Sequence, residues 1–273
     1  AAALAFAGAP DRASRRRVRL VALDFDGTLA PLVDDPSASA MTPAARAAVD
    51  RLAALAAREA ADGDVLRLAL VSGRNLSDLA ARSGAPAGTY LVGSHGAETG
   101  RVTAHGVDAV PLQLTPEQAT TLERLREGMQ EAVDGRRGAW VQDKPSAAVL
   151  HTRVCGPEDT RAATEDADAL AGRLGLHAMH GKDVVEIAVV DTSKGIAVER
   201  LREQLEEAEE AHDLRALVLY AGDDTTDEAA FAVLGADDLG LKVGPGPTAA
   251  GHRVADADAL AALLERLAEA LDR

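Results

Sequence analysis

Two aspartates separated by one residue end an apolar run near the start of the chain. The run covers residues 18–23, and Asp24 and Asp26 follow it, before a Gly-Thr turn. A buried strand that ends in this way brings both carboxylates to the edge of a sheet, where open α/β folds bind their ligands. Carboxylates so close together repel each other, and a bound cation relieves that repulsion. The alternative is an acidic strand-to-turn junction whose carboxylates only cap the backbone.

Residues of several chemical types stand at the ends of later apolar runs, or at the start of a helical segment. They are Ser72, Gly73, Arg74, Lys194, Asp223 and Asp227. Because parallel strands end at one common edge, these residues are predicted to converge although they are far apart in sequence. Three acids suit a hard cation such as Mg²⁺, while a hydroxyl, backbone N–H groups and a lysine suit a phosphate. Together they predict phosphoryl transfer.

The elements that position these residues follow from the apolar pattern. Runs at 18–23, 66–71, 90–92, 217–221 and 241–243 predict buried strands. Helical spacing lies between them, and Thr42-Pro43 gives the first helix a capping residue and an initial proline. Alternation of strand and helix predicts an α/β fold with a parallel sheet and right-handed crossovers.

A different pattern occupies the middle of the chain. A capping box at residues 115–118 opens a helix, and two strand-like runs, a second helix and two further runs follow. This αββαββ block is predicted to be an inserted α+β domain. We therefore expect a flexible lead-in at 1–17, a core domain at 18–103 and 187–273, and a cap domain at 104–186.

The composition limits the classes of partner. The 273 residues are 47% hydrophobic, which is enough for a sizeable core, and the net charge of −15 argues against nucleic acid and against anionic membranes. No apolar run approaches the roughly 20 residues that span a bilayer. Cys155 is the only cysteine, which excludes an intrachain disulfide and suits a reducing cytoplasm. We expect a cytoplasmic monomer that acts on a small molecule.

Four of these segments, in their order along the chain, resemble the motifs of one enzyme superfamily. The segment Asp24-Phe-Asp-Gly-Thr28, Ser72, Lys194, and Gly222-Asp-Asp-Thr-Thr-Asp227 are similar to the four motifs of the haloacid dehalogenase (HAD) superfamily of phosphatases. The resemblance implies a Rossmann-like parallel core with the inserted block as the larger, C2-type cap.

A narrower resemblance is to the trehalose-6-phosphate phosphatases. It is carried by residues 222–228, by Gly-Ser-His-Gly-Ala-Glu at 93–98 and by the cap segment from Lys144 to His151. Gln142 and Thr152 depart from that family's pattern. The resemblance implies Mg²⁺-dependent hydrolysis of trehalose 6-phosphate to trehalose and phosphate.

The resemblance also implies a role for each residue. Asp24 would attack phosphorus and form an aspartyl-phosphate, and Asp26 would act as general acid and base. Lys194 would offset the charge of the nucleophile and of the phosphoryl group. Mg²⁺ would bind the Asp24 carboxylate, the Asp26 carbonyl and Asp223, with Asp227 steadying its waters. Substrate contacts are expected from Ser72, Gly73 and Arg74 on the phosphate and from Lys144, His151 and Glu186 on the sugar.

Several alternatives stay open at this point. The substrate could be sucrose phosphate, a mannosyl-glycerate phosphate or a polyol phosphate, and a phosphomutase would share the same motifs. A non-enzymatic sugar-phosphate sensor would be expected to have lost Asp24 or Asp26, and this chain keeps both. A phospho-acceptor signalling domain would lack the inserted block. Arg74 and the three cap residues could instead be ordinary structural pairs.

Overall fold

A computed structural model describes residues 2–8, 17–33, 35–58, 64–208 and 215–272. The chain forms two compact units, of which the first combines Ala1–Val110 with Thr192–Arg273 and the second is Pro111–Asp191. No helix in the described ranges combines the length and the apolar character needed to cross a membrane.

The described residues form twelve strands and eight α-helices. The strands are β1 (Val18–Asp24), β2 (Val65–Val71), β3 (Tyr90–Gly93), β4 (Glu98–Thr103), β5 (Gly106–Val110), β6 (Trp140–Asp143), β7 (Ala147–His151), β8 (Ala178–Gly181), β9 (Val184–Ala188), β10 (Leu217–Gly222), β11 (Leu239–Val243) and β12 (His252–Val254). The helices are α1 (Ala2–Ala7), α2 (Pro43–Ala56), α3 (Leu76–Ser83), α4 (Pro116–Val133), α5 (Pro157–Leu174), α6 (Lys194–Ala208), α7 (Glu228–Ala232) and α8 (Ala257–Leu271).

The first unit is built on an eight-stranded sheet in the order β12-β11-β10-β1-β2-β3-β4-β5. All neighbouring pairs from β12 to β3 are parallel, so the predicted α/β fold is confirmed, whereas β4 and β5 add an antiparallel edge. From β1 the chain continues to β2 and β3 on one side, and later adds β10 to β12 on the other. The strand order therefore reverses beside β1, at the kind of position where such folds bind ligands.

Strand β1 is buried along its whole length because both faces of the sheet are covered. Val21 and Leu23 pack into the apolar cluster that also holds residues of α1, α2, α3 and α8. Leu20 and Ala22, which point the other way, pack with residues of α6 and α7. This two-sided burial explains why the strand is a continuous apolar run rather than an alternating one.

The boundaries of the inserted domain differ from those predicted. Residues 104–110 belong to the first unit, because β5 pairs antiparallel with β4. At the other end, β9 pairs with β7 and keeps residues 187–191 in the second unit. The first boundary could not be predicted from the sequence, because β5 is largely exposed and therefore has no apolar run that would indicate a strand.

The predicted flexible lead-in is wrong for residues 2–7. They form α1, whose Phe6 is only 5% exposed and packs into the core beside α8. The Nε of Arg19 donates a hydrogen bond of 3.2 Å to the carbonyl of Phe6, which attaches this helix to β1. Residues 1 and 9–16 of the expected lead-in lie outside the described residues.

The second unit has the predicted order of elements. Helices α4 and α5 cover one face of a four-stranded antiparallel sheet in the order β6-β7-β9-β8. Leu150 of β7 and Ile187 of β9 point to these helices and are fully buried. Successive side chains of a strand alternate between faces, so His151 and Glu186 lie on the face opposite the helices.

Candidate active site

The end of β1 carries a buried carboxylate that is paired with a lysine. The Nζ of Lys194, the first residue of α6, lies 2.6 Å from Asp24 Oδ1 and 2.7 Å from Asp227 Oδ1. The three side chains are between 0% and 5% exposed. Three positions that are widely separated in sequence thus meet at the carboxyl end of the central strands, and one ammonium group is shared by two carboxylates.

Asp227 is held from several directions. Besides the lysine, its Oδ1 accepts a hydrogen bond of 2.6 Å from the hydroxyl of Tyr220, and its Oδ2 accepts one of 2.9 Å from the backbone N–H of Asp224. Tyr220 is fully buried, and burial together with the charge of Asp227 raises the pKa of its hydroxyl well above the usual value. A buried carboxylate satisfied in this way is a rigid anchor for Lys194.

Asp223 lies beside the turn that follows β1. Its Oδ1 accepts a hydrogen bond of 3.2 Å from Thr28 Oγ1, and its backbone carbonyl accepts one from Lys242. Gly27 has φ +79°, and a Cβ there would come within 2.0 Å of Asp223 Oδ2. Only glycine therefore permits this close approach of the turn to the carboxylate.

The acidic cluster contains more negative than positive charge. Carboxylate oxygens of Asp24, Asp223 and Asp227 lie within 4.8 Å of one another. Burial, together with the charges of Asp227 and Asp223, raises the pKa of Asp24 to about 7 although Lys194 opposes the shift. Burial and the charge of Asp227 likewise raise the pKa of Asp223. Burial would lower the pKa of Lys194, but the two carboxylates outweigh it and raise that pKa.

This donor set fits a divalent cation. A cation would relieve the repulsion among the three carboxylates, of which only Asp24 and Asp227 contact the ammonium group of Lys194. Hard oxygen donors are the ligands that Mg²⁺ and Ca²⁺ take. Both oxygens of Asp227 already accept hydrogen bonds from protein donors. Asp24 and Asp223 are therefore better suited than Asp227 to direct coordination.

Asp26 is bound by an arginine on the opposite side of the site. Arg74 donates from Nε to Oδ2 at 2.6 Å and from Nη2 to Oδ1 at 2.8 Å, and Ser39 Oγ also donates to Oδ1, at 2.8 Å. The hydrogen bond to Asp26 is the main reason that the pKa of Arg74 is raised. The sequence predicts a phosphate contact for Arg74, whereas the structure places its guanidinium on a carboxylate.

Ser72 and Gly73 follow β2 at the same edge. Ser72 is 2% exposed, and its Oγ accepts a hydrogen bond of 3.1 Å from the backbone N–H of Arg74. A Cβ on Gly73 would lie 2.6 Å from Cε1 of His95, so the His95 ring closes one side of the loop. A cavity of about 540 Å³ is lined by Asp24, Asp26, Leu32, Pro36, Ser72, Gly73, Arg74, His95, Lys194, Asp223, Asp224 and Thr226.

The model of one protein family, described as trehalose-phosphatase, matches residues 22–258. The chain belongs to the trehalose-phosphatase family. Among curated relatives, the trehalose-phosphate phosphatase of Mycobacterium marinum is 30% identical over 225 residues, which are 82% of this chain and 53% of that protein. The chain thus spans about half the length of such curated relatives.

Solved structures support the fold expected for this family. The C-terminal domain of trehalose-6-phosphate phosphatase from C. albicans superposes with a TM-score of 0.70 at 21% identity, covering 93% of each chain. A haloacid dehalogenase-like hydrolase from Bacteroides thetaiotaomicron gives a TM-score of 0.63 at 14% identity, covering 92% of this chain and 100% of that one. The predicted HAD-like fold is confirmed.

The candidate sugar contacts of this family member lie together in the second unit. Lys144 Nζ is 2.9 Å from each carboxylate oxygen of Glu186, on the face of the sheet opposite the helices. His151 Nε2 lies 3.1 Å from Gln142 Oε1, and its ring stacks on Trp140 at 4.1 Å with an interplanar angle of 6°. Burial, followed by the charge of Lys144, lowers the pKa of His151, which favours its neutral form.

Four residues near the site were not singled out from the sequence. Tyr220 holds Asp227, Lys242 holds the Asp223 carbonyl, Ser39 contacts Asp26, and Asp78 contacts Arg74. Tyr220 and Lys242 carry a sequence signal, since each is a polar side chain within an otherwise apolar strand. Ser39 and Asp78 are ordinary polar residues whose positions depend on the folded chain.

Proposed function

We propose that this member of the trehalose-phosphatase family hydrolyses trehalose 6-phosphate to trehalose and phosphate through an aspartyl-phosphate on Asp24. The buried contact of Lys194 with Asp24, within a cluster of three carboxylates at the carboxyl end of β1, is the observation that carries the proposal. A lysine and a cation site beside one carboxylate provide the positive charge that an anionic phosphate needs in order to approach a negatively charged nucleophile.

Asp24, Asp26 and Lys194 of the first unit each have a separate role in the proposed reaction. The carboxylate of Asp24 attacks phosphorus, and the bond from phosphorus to the sugar oxygen breaks. Asp26 gives its proton to the departing oxygen and later takes a proton from the water that hydrolyses the aspartyl-phosphate. Lys194, fixed by Asp227, keeps the nucleophile oriented and offsets the negative charge of the phosphoryl group.

Mg²⁺ is the cation that we propose for this site. The Asp24 carboxylate, the Asp26 backbone carbonyl and Asp223 would hold it, with Asp227 contacting its water ligands. When bound, it neutralises charge on the phosphoryl oxygens. The raised pKa values of Asp24 and Asp223 support this assignment, because at both carboxylates burial and the neighbouring negative charges outweigh the single positive charge of Lys194.

We assign the phosphate oxygens to Ser72 and the backbone N–H of Gly73, and the sugar to Lys144, His151 and Glu186. A hydroxyl and a backbone N–H that follow a strand are suited to a phosphate. A lysine, a histidine and a glutamate together supply both donors and acceptors for sugar hydroxyls. The monomeric state and the cytoplasmic location stay predictions.

The test is a comparison of substrates by phosphate release. Trehalose 6-phosphate, glucose 6-phosphate and sucrose 6-phosphate are supplied to the wild-type chain with and without Mg²⁺. We expect the highest kcat/KM for trehalose 6-phosphate, and activity only with the metal. A higher kcat/KM for sucrose 6-phosphate would contradict the substrate assignment, and transfer of the phosphate to another hydroxyl of the sugar would indicate a phosphomutase.

A further inference from the structure

The carboxylate of Asp26 is held in a fixed plane. Arg74 Nε and Nη2 bind its two oxygens side by side at 2.6 and 2.8 Å, and Ser39 adds a third donor at 2.8 Å. This two-point contact between a planar guanidinium and a planar carboxylate fixes orientation as well as distance. Because the Asp26 side chain is 30% exposed, packing alone does not hold it.

The arginine is itself held by groups that have no part in the proposed chemistry. Its Nη1 donates to Asp78 Oδ2 at 2.6 Å, and its Nη2 also donates to the Pro36 carbonyl at 3.1 Å. Asp78 lies in the first turn of α3, whose N-cap is Asn75, and is further bound by Arg82 at 3.2 Å. Nε, Nη1 and Nη2 of Arg74 all donate hydrogen bonds to protein acceptors. The guanidinium is therefore already held in place without substrate.

We propose that Arg74, held by Asp78, is a positioning residue that orients the Asp26 carboxylate for proton transfer and does not bind the substrate phosphate. The proposal rests on the proposed function, in which Asp26 exchanges the proton with the sugar oxygen and with water. Proton transfer requires the donor and acceptor within hydrogen-bond reach and in line, so a freely rotating carboxylate would transfer the proton less often.

Substrates with different leaving groups distinguish a positioning role of Arg74 from a contact with the substrate phosphate. A sugar alkoxide is a poor leaving group and needs a proton as its bond to phosphorus breaks. The p-nitrophenolate ion is a good leaving group and departs without one. Loss of Asp26 positioning should therefore reduce kcat/KM for a sugar phosphate much more than for p-nitrophenyl phosphate, whereas loss of a phosphate ligand should reduce both alike.

The experiment measures kcat/KM for trehalose 6-phosphate and p-nitrophenyl phosphate in the wild-type chain and in Arg74→Ala, Arg74→Lys and Asp78→Asn. For Arg74→Ala we expect a loss of about 100-fold on the sugar phosphate, the lower end of general acid catalysis, and a much smaller loss on the aryl phosphate. Arg74→Lys keeps the charge but not the two-point contact, and should show the same bias. Added guanidinium ion should restore part of the Arg74→Ala activity.

Two controls tie the effect to Asp26. Asp26→Asn should show the same bias between substrates, and adding Arg74→Ala to it should cause little further loss, because both changes act on one step. Arg101→Lys is the matched arginine control. The Arg101 guanidinium lies over the Tyr90 ring at 5.2 Å from its centroid, as that of Arg74 lies over the Phe25 ring at 5.8 Å, and it donates to the Gly88 carbonyl. Arg101→Lys should leave both rates unchanged.

Equal losses on the two substrates with a raised KM would overturn the proposal in favour of a phosphate ligand. Unchanged rates in Arg74→Lys and Arg74→Ala would overturn it as well. Failure of the proposed function looks different, because the wild-type chain would then hydrolyse p-nitrophenyl phosphate but not trehalose 6-phosphate. In that case the same comparison is made with the alkyl phosphate that the wild-type chain hydrolyses fastest.

Discussion

Polar side chains are held in different ways in the two units of this protein. In the first unit, Asp24, Lys194 and Asp227 are at most 5% exposed and each is bound by a charged partner. In the second unit, the side chains of Lys144 and Glu186 are 13% and 16% exposed, and Trp140, which stacks on His151, is 51% exposed. One set is buried at the carboxyl edge of the parallel sheet, while the other is partly exposed on the face of its sheet opposite the helices.

The difference in burial predicts different effects for substitutions in the two sets. A buried charge that loses its partner has no water to replace it, so the network around Lys194 tolerates few substitutions. The partly exposed pair of Lys144 and Glu186 can replace part of a lost contact with solvent, so we expect its replacement to change what is bound more than whether the chain folds. We therefore expect substitutions in the first set to affect kcat and stability, and substitutions in the second to affect KM.

Removal of the divalent metal should have the largest effect. Chelation should lower phosphate release by roughly 1,000-fold, equivalent to several kcal/mol of transition-state stabilisation. A readout without turnover is the thermal unfolding midpoint, which Mg²⁺ should raise because it binds only the folded cluster. Asp223→Asn should remove that rise. Full activity in the presence of a chelator would show that the acidic cluster needs no cation.

Replacing the buried lysine and a lysine of the second unit compares the two regions directly. Lys194→Gln leaves Asp24 and Asp227 without their shared cation, and should cost about 3–5 kcal/mol of unfolding free energy together with nearly all activity. Lys144→Gln should cost less, about 1 kcal/mol, because Glu186 is partly exposed and solvent can replace part of the lost contact. Urea unfolding of both variants, each with its kcat and KM, checks the comparison, and equal stability losses would break it.

A smaller effect is expected from the hydroxyl of Tyr220. Tyr220→Phe removes one donor to Asp227 and keeps the ring against Phe231, with which it now makes an edge-on contact at 5.6 Å. Loss of a hydrogen bond to a charged group should cost about 1.5–3 kcal/mol of stability. Because Asp227 also positions Lys194, kcat should fall while KM stays near the wild-type value. A rise in KM alone would show that Tyr220 acts on substrate binding instead.

The smallest effect on chemistry is expected in the second unit. His151→Ala removes the ring that stacks on Trp140 and contacts Gln142. It should raise KM for trehalose 6-phosphate and leave kcat, and the kcat/KM for p-nitrophenyl phosphate, nearly unchanged. Steady-state kinetics with both substrates measure this, and a lower kcat with unchanged KM would place His151 in the catalytic step.

The sequence predicts the core of the fold and the chain segments of the site for a physical reason. Asp24 and Asp223 directly follow buried apolar runs, and the ends of parallel strands must share one edge. The partners of these residues carry no such signal. Asp78, Ser39 and Lys242 reach the site through hydrogen bonds that depend on strand register and helix placement, which are absent from local patterns.

The same reasoning explains the misplaced boundary of the inserted domain. Strands β4 and β5 are short and partly or largely exposed, so they show no apolar run, and their pairing depends on the hairpin turn between Thr103 and Gly106. The sequence does not predict the α1 helix for another reason. Its short, alanine-rich segment is typical of a frayed terminus, and only the folded structure shows that Phe6 packs into the core.

The most direct test of the account is to trap the phosphorylated enzyme. The wild-type chain is mixed with trehalose 6-phosphate and Mg²⁺, quenched in acid during turnover and reduced with borohydride, which converts an aspartyl-phosphate to homoserine. Peptide mass spectrometry should find the conversion at Asp24, only with substrate, and not in Asp24→Asn. Conversion at another residue, or continued turnover by pure Asp24→Asn, would contradict the central claim.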